Sequence, residues 1–172
     1  MRSAAQYWCP AYVGIGSNLD SPKNQVLSAI DELGSLPDTI VTGASSLFQS
    51  APLGSVEQGD FVNAVVALLT QLSAHDLLTE LRTIEDNHDR NRAAERWGPR
   101  TLDLDLLVFS DKRISDDVLT VPHPGIPERN FVLLPLCELA PHLIVPGLGP
   151  VAVLTELVRA SGGRIEKIPE VS

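Results

Sequence analysis

Two aspartates, Asp103 and Asp105, alternate with leucines in TLDLDLLVF (residues 101–109), a run whose apolar content otherwise reads as a buried β-strand. Side chains two residues apart on a strand point to one face, with Cα atoms about 6.6–6.8 Å apart. The two carboxylates therefore share a face, and Leu102, Leu104 and Leu106 point into the core. Two anions this close repel, and leaving them uncompensated in a partly buried place costs on the order of several kcal/mol. A cation must neutralise them. Magnesium suits, because it takes oxygen ligands at about 2.0–2.1 Å and uses one or two carboxylates plus phosphate oxygens. Two aspartates bridging a pair of ions about 3.5–4 Å apart would form a phosphoryl-transfer clamp. The structural alternative is an exposed sheet face on which Arg96 and Arg100 form plain salt bridges with the acids. Trp97-Gly98-Pro99-Arg100 directly before the pair, within an arginine-rich stretch, favours the chemical reading.

Arg82, Arg90, Arg92, Arg96 and Arg100 are half of the chain's ten arginines, although the chain as a whole carries a net charge of −9. A basic cluster on an acidic protein suits a small polyanion and argues against non-specific nucleic-acid binding. The planar guanidinium donates two parallel hydrogen bonds to a phosphate, so Arg90, Arg92, Arg96 and Arg100 can neutralise what metal ions leave over on a triphosphate. The alternative for these arginines is a solvated helix end. The segment 86–99 lacks apolar periodicity and reads as an exposed, mobile loop, which would serve as a lid that keeps water from a transfer reaction. His123, between two prolines in LTVPHPGI (119–126), is either a structural loop histidine or a phosphate partner beside the acidic pair. His75, His88 and His142 have no partner pattern. GIGSN (14–18) lacks both G-x-G-x-x-G and G-K-[ST], so a nucleotide must be held some other way.

The elements that position these residues follow from pattern. AYVGIGSN (11–18) is a strand ending in a turn. A helix follows, with Asp20 or Ser21 as N-cap, Pro22 at the first position, an inner face of Val26, Leu27, Ile30 and Leu33, and Gly34 at its end. IVTGASSLFQS (40–50) reads as one strand. APLGSVEQGD is a turn-rich loop, and FVNAVVALLT (61–70) is apolar on both faces and so internal. Ser73 and Asp76 open a helix in capping-box fashion, with Leu77, Leu78, Leu81 and Ile84 inward. Residues 101–109 form the next strand, with short β signals at 113–114 and 119–121. PERNFVLLPLCELA begins with a helix that Pro135 should keep short. Residues 151–161 make a final amphipathic helix. The order β-α-β-β-α-β predicts an α+β, ferredoxin-like sandwich with helices packed on a mostly antiparallel sheet.

At 172 residues, 44% of them hydrophobic and 20% charged, the chain fits one domain, residues 1–172, with 1–10 as a flexible N-terminal extension. A domain of this size buries about 70% of its unfolded surface and needs no covalent staples. Cys9 and Cys137 show no metal-like spacing and read as reduced thiols. No apolar run approaches the ~20 residues of a membrane span, and MRSAAQYWCP is too short and polar for a secretory signal. A soluble, cytoplasmic protein with no membrane partner is expected.

Taken together, RWGPRTLDLDLL (96–107), VGIGSNL, SAPLG, DFVNAVVAL, the stretch from Glu85 to Arg92, LTVPHP and ERNFVLLPL resemble the 6-hydroxymethyl-7,8-dihydropterin pyrophosphokinase family of folate biosynthesis, in order and spacing, over nearly the whole chain. The resemblance implies transfer of a pyrophosphoryl group from ATP to the pterin's hydroxymethyl oxygen, with release of AMP, by a monomer acting on small molecules. It implies that Asp103 and Asp105 hold two Mg²⁺ ions on the ATP phosphates and that Arg92 and Arg100 bind those phosphates during catalysis. It places Arg90, Arg96 and Trp97 in a closing loop, Arg96 and Trp97 meeting the nucleotide and Trp97 also the pterin. Glu85, Leu106, Thr120, His123 and Arg129 would line the ATP site, with Arg82 nearby where other members can carry glutamine. Phe61 and Phe131 would sandwich the pterin, Asn63 would read its polar edge, and the loop at Ser50, Ala51, Pro52 and Leu53 would complete that reading. Stacking on a flat heteroaromatic is worth about 0.5–1.5 kcal/mol per pair beyond area, and an asparagine offers both donor and acceptor. Without the resemblance Phe61 and Phe131 would read as core residues, whereas Asn63 is the odd residue in an apolar strand. Phe61 stands where some members carry tyrosine, Pro124 where some carry an aromatic, and Val118 where some carry arginine. The rival readings are a D-x-D nucleotidyl- or glycosyl-transferase, which would release a different leaving group, and a pterin- or nucleotide-binding module without turnover.

Overall fold

The computed structural model describes residues 7–88 and 98–170. Along the chain come β1 (Cys9–Ser17), α1 (Pro22–Gly34), β2 (Thr39–Ala44), β3 (Phe48–Ser50), β4 (Phe61–Thr70), α2 (Ala74–Asn87) and β5 (Asp103–Phe109). A small hairpin, β6 (Ile114–Ser115) with β7 (Thr120–Val121), precedes a 3-10 turn (Ile126–Glu128) and α3 (Asn130–Leu139). The chain then forms β8 (Ile144–Val145), β9 (Gly149–Pro150), α4 (Val151–Ser161) and β10 (Ile165–Lys167).

The main sheet has six strands in the order β10-β3-β4-β1-β5, with β2 on the same side of β4 as β3, and its pairings are antiparallel. With β2 and β3 counted as one interrupted strand, this is the ferredoxin-like βαββαβ order expected from the sequence. The break was not expected. At it, Ser45 bonds Val65 twice, giving its N–H to the carbonyl (2.8 Å) and accepting the Val65 N–H on its hydroxyl (2.9 Å). A side chain there stands in for the backbone ladder between β2 and β3.

Helices cover both faces. On one, Val26, Ala29 and Leu33 of α1 and Leu77, Leu81 and Ile84 of α2 pack on Val13, Ile15, Ala64, Val66, Leu104 and Leu106. On the other, Val132, Leu133 and Leu136 of α3 and Val151 and Val158 of α4 meet Val65, Leu107 and Val108. β4 is thus buried on both faces, as its continuous apolar run predicts.

Local details differ from the sequence reading. Leu27 is exposed and Ala29 takes its place in the core. Ser21 occupies the N-cap of α1 with a positive φ of 64° and no side-chain cap, whereas Ser73 caps α2 by accepting the Asp76 N–H at 3.1 Å. α3 runs through Pro135 to Leu139. The lost hydrogen bond of an interior proline is offset there by burial of Val132, Leu133, Pro135 and Leu136. β1 starts at Cys9, inside the expected N-terminal extension, because it pairs with Thr70 at the end of β4. No helix among the described residues is long and apolar enough to cross a membrane.

Candidate active site

The acidic pair is fixed by register. Asp105 lies opposite Gly14 and Asp103 opposite Gly16 on β1, while Leu104 and Leu106 are buried on the α1/α2 side. β5 is the edge strand. Its outward N–H at Leu104, between the two aspartates, donates to Glu85 Oε1 of α2 at 2.9 Å. Glu85 is only 2% exposed. It therefore lies beneath the strand that carries the acids rather than on the surface that a nucleotide would touch.

Asp103 and Asp105 open into a cavity of about 290 Å³. Gly14 and Gly16 leave its floor bare. A Cβ at Gly14 would meet Leu107 at 3.4 Å, and one at Gly16 would meet Asn63 Oδ1 at 3.4 Å and Phe61 at 3.7 Å. Arg100 and Arg129 stand on the acidic side, and Ser50, Ala51, Leu53, Phe61, Asn63 and Phe131 line the remainder. Asn63, 3% exposed, donates from Nδ2 to Ser50 Oγ at 2.8 Å, which sets the plane of its amide.

Two tethers shape the acidic side. Arg100 gives its N–H to Asn18 Oδ1 (2.8 Å) and its carbonyl accepts the Asn18 N–H (3.0 Å). Asn18 Nδ2 reaches Gln58 and Gly59 of the loop before β4 (2.9 and 3.0 Å). Arg129 approaches Asp105 with Nη1 3.7 Å from Oδ2, and its guanidinium carbon lies 5.9 Å from the centre of the Phe131 ring. It packs so tightly over Gly125 that a Cβ there would stand 2.6 Å from its Nε. His123 is anchored to β5 through its N–H to the Leu107 carbonyl (2.8 Å), and its Nε2 is 3.9 Å from Asp105 Oδ1. Burial, then the charge of Arg129, depress its pKa to about 4 against an opposing pull from Asp103, so the ring is neutral near pH 7. Nδ1 accepts the Gly125 N–H (2.9 Å), which leaves the proton on Nε2, facing the acidic pair.

Other expected site residues fall elsewhere. The Leu106 side chain is in the core, because it is one step out of phase with Asp105. Arg82 is exposed on α2 and lines no cavity with the acids, since Leu81, Ile84 and Glu85 occupy the inward positions of that helix. Pro52 lies in the loop but not on the cavity wall. Thr120 lines a second cavity of about 240 Å³ that also borders His123, Pro124 and Arg113. Arg90, Arg92, Arg96 and Trp97 lie outside the described residues. Gly14, Gly16, Asn18 and Gly125 were missed. The G-x-G alternation of β1, bare on every second position, was the available signal for the first two.

The donor set fits magnesium. The two carboxylates are half-buried, and among the described residues no group of three or more His, Cys, Asp or Glu could cage a metal. Two carboxylates leave the other positions of an octahedral ion to water and to phosphate oxygens, which is how Mg²⁺ is commonly held beside a nucleotide.

An antiparallel α+β sheet with an acidic pair on its edge strand and an arginine-flanked cavity above it places the protein among enzymes that move phosphate groups. Comparison with known proteins narrows this class. The model of the family 7,8-dihydro-6-hydroxymethylpterin-pyrophosphokinase (HPPK) matches residues 12–141. The 2-amino-4-hydroxy-6-hydroxymethyldihydropteridine pyrophosphokinase of Haemophilus influenzae is 42% identical over 87% of this chain and 91% of its own. Its namesake in Pseudomonas aeruginosa is 47% identical over 78% and 83%. A solved structure of Plasmodium falciparum HPPK-DHPS with pterin and p-hydroxybenzoate superposes with a TM-score of 0.69 over 90% of this chain and 44% of that one, at 14% identity, a likeness of fold. The chain belongs to the HPPK family.

Proposed function

We propose that the protein transfers pyrophosphate from ATP to the hydroxymethyl oxygen of 6-hydroxymethyl-7,8-dihydropterin, with magnesium, releasing AMP and the pterin diphosphate. The observation that carries this is the two-sided cavity: acids and guanidiniums on one side, two phenyl rings and a buried amide on the other. A flat heterocyclic alcohol held between Phe61 and Phe131, its polar edge on Asn63 and Ser50, points its substituent toward Asp103 and Asp105. The triphosphate lies along Arg100 and Arg129, within reach of the proton on His123 Nε2.

Asp103 and Asp105 would hold magnesium, which supplies charge neutralisation and alignment of the phosphates when bound. This chain's residues supply positioning. In-line attack on the β-phosphorus needs the alcohol and phosphate held at contact distance, which alone can account for about 7–11 kcal/mol of barrier. Fixed donors from Arg100, Arg129 and His123 face the charge that develops on the phosphate oxygens. Arg90, Arg92, Arg96 and Trp97, which lie outside the described residues, are taken as further partners of the phosphates and the pterin. The net charge of −9 and the size of the cavity agree with small-molecule substrates and no nucleic-acid partner. The test incubates the protein with ATP, Mg²⁺ and the pterin and resolves the nucleotide products. AMP in equal amount to pterin diphosphate is expected; ADP, free pyrophosphate or no turnover would refute the assignment.

A further inference from the structure

Arg164 follows α4 and lies beyond the residues 12–141 matched by the family. It does not line the cavity, yet it grips both ends of the loop that forms one cavity wall. Its backbone carbonyl accepts the Ala51 N–H (3.2 Å) where that loop leaves β3. Its guanidinium forms a two-pronged pair with Asp60, Nη1 to Oδ2 and Nη2 to Oδ1, both at 2.7 Å, where the loop enters β4. Asp60 directly precedes Phe61, and its Oδ2 also accepts from Gln49 Nε2 (3.0 Å). These hydrogen bonds hold the Asp60 carboxyl down at about 2, so it is ionised at neutral pH. The preceding residue, Gly163, reaches the opposite wall: its carbonyl accepts Asn130 Nδ2 at 3.0 Å, and Asn130 directly precedes Phe131. β10, which starts at Ile165, continues the brace by pairing with Ser50 across from Phe61.

We propose that Arg164 is a positioning residue for the ring-binding half of the pocket, setting the distance between the segments that carry Phe61 and Phe131. The proposal rests on the reading of that half as the pterin slot. A stack between two rings is sensitive to their separation, and walls already fixed at the right spacing bind more tightly because less ordering is left to be done on binding. The Arg164–Asp60 pair is partly exposed, with Arg164 at 56% and Asp60 at 24% side-chain exposure, and such pairs contribute little to stability. Its effect falls on the ligand rather than on the fold.

The test is calorimetric titration of 6-hydroxymethylpterin into the full chain, with Mg²⁺ and a non-hydrolysable ATP analogue present, and a separate titration of the analogue. For Arg164→Ala the pterin Kd should rise about tenfold while the analogue Kd stays within about twofold. Arg164→Lys, which keeps the charge but not the two-pronged geometry, should fall between. Asp60→Asn, which keeps the shape and removes the ion pair, gives an independent reading should Arg164→Ala not fold. Unchanged pterin affinity in these variants, or equal losses for both ligands, would overturn the clasp. A wild-type protein that does not bind the pterin at all would instead remove the reading of the slot, and the proposal with it.

Discussion

The neutral state of His123 makes a pH prediction with a defined sign. Its pKa in the fold is about 4, whereas an unfolded histidine titrates near 6.5. Below about pH 6.5 the unfolded chain takes up a proton that the folded chain refuses, so stability falls as pH falls toward 4 and is fully present only above about 6.5. The whole shift corresponds to roughly 3–4 kcal/mol at about 1.4 kcal/mol per unit. Between about pH 7.5 and pH 5, where most carboxylates stay ionised, the histidine alone should remove about 2 kcal/mol. The assay is urea unfolding in EDTA at those two pH values, for wild type and for His123→Asn, which cannot take up the proton. The wild type should lose about 2 kcal/mol more than the variant across the interval. Equal losses would refute the reasoning, and a larger loss in the variant would reverse it.

Glu85→Ala removes the acceptor of the Leu104 N–H from a buried place; it should destabilise by about 2–3 kcal/mol, more than Glu85→Gln, which keeps an acceptor of the same shape. Urea unfolding checks the difference, and the Mg²⁺ concentration for half-maximal turnover should rise in Glu85→Ala because the strand between the aspartates loosens. Gly125→Ala puts a Cβ 2.6 Å from Arg129 Nε; the displaced guanidinium should weaken binding of a non-hydrolysable ATP analogue by about fivefold, with pterin affinity little changed, measured by titration calorimetry. Loss of Arg92 should cut the single-turnover rate of AMP formation with the fold intact by circular dichroism, and an unchanged rate would remove it from the chemistry.

Much of this site was legible because β-strands have a period of two. That period placed Asp103 and Asp105 on one face and Leu104 and Leu106 on the other, as found, and the same rule denies Leu106 a side-chain role at a nucleotide. Glu85 sat in view as well: 77, 81, 84 and 85 share one helical face, and a carboxylate at the fourth of those positions must find a donor inside, which is Leu104. The strand break at Ser45 and the link from Asn18 to Arg100 depend on partners 20 and 82 residues away brought together by the fold. No local pattern announces them. The passage of α3 through Pro135 is likewise a tertiary effect, with burial outweighing a local preference.

The most direct test of the central claim is a crystal structure of the protein grown with Mg²⁺, a non-hydrolysable ATP analogue and 6-hydroxymethylpterin. It should show carboxylate oxygens of both Asp103 and Asp105 about 2.0–2.1 Å from magnesium, with the pterin between Phe61 and Phe131 and its hydroxymethyl oxygen facing the β-phosphorus. Magnesium and triphosphate seated away from Asp103 and Asp105 would contradict it.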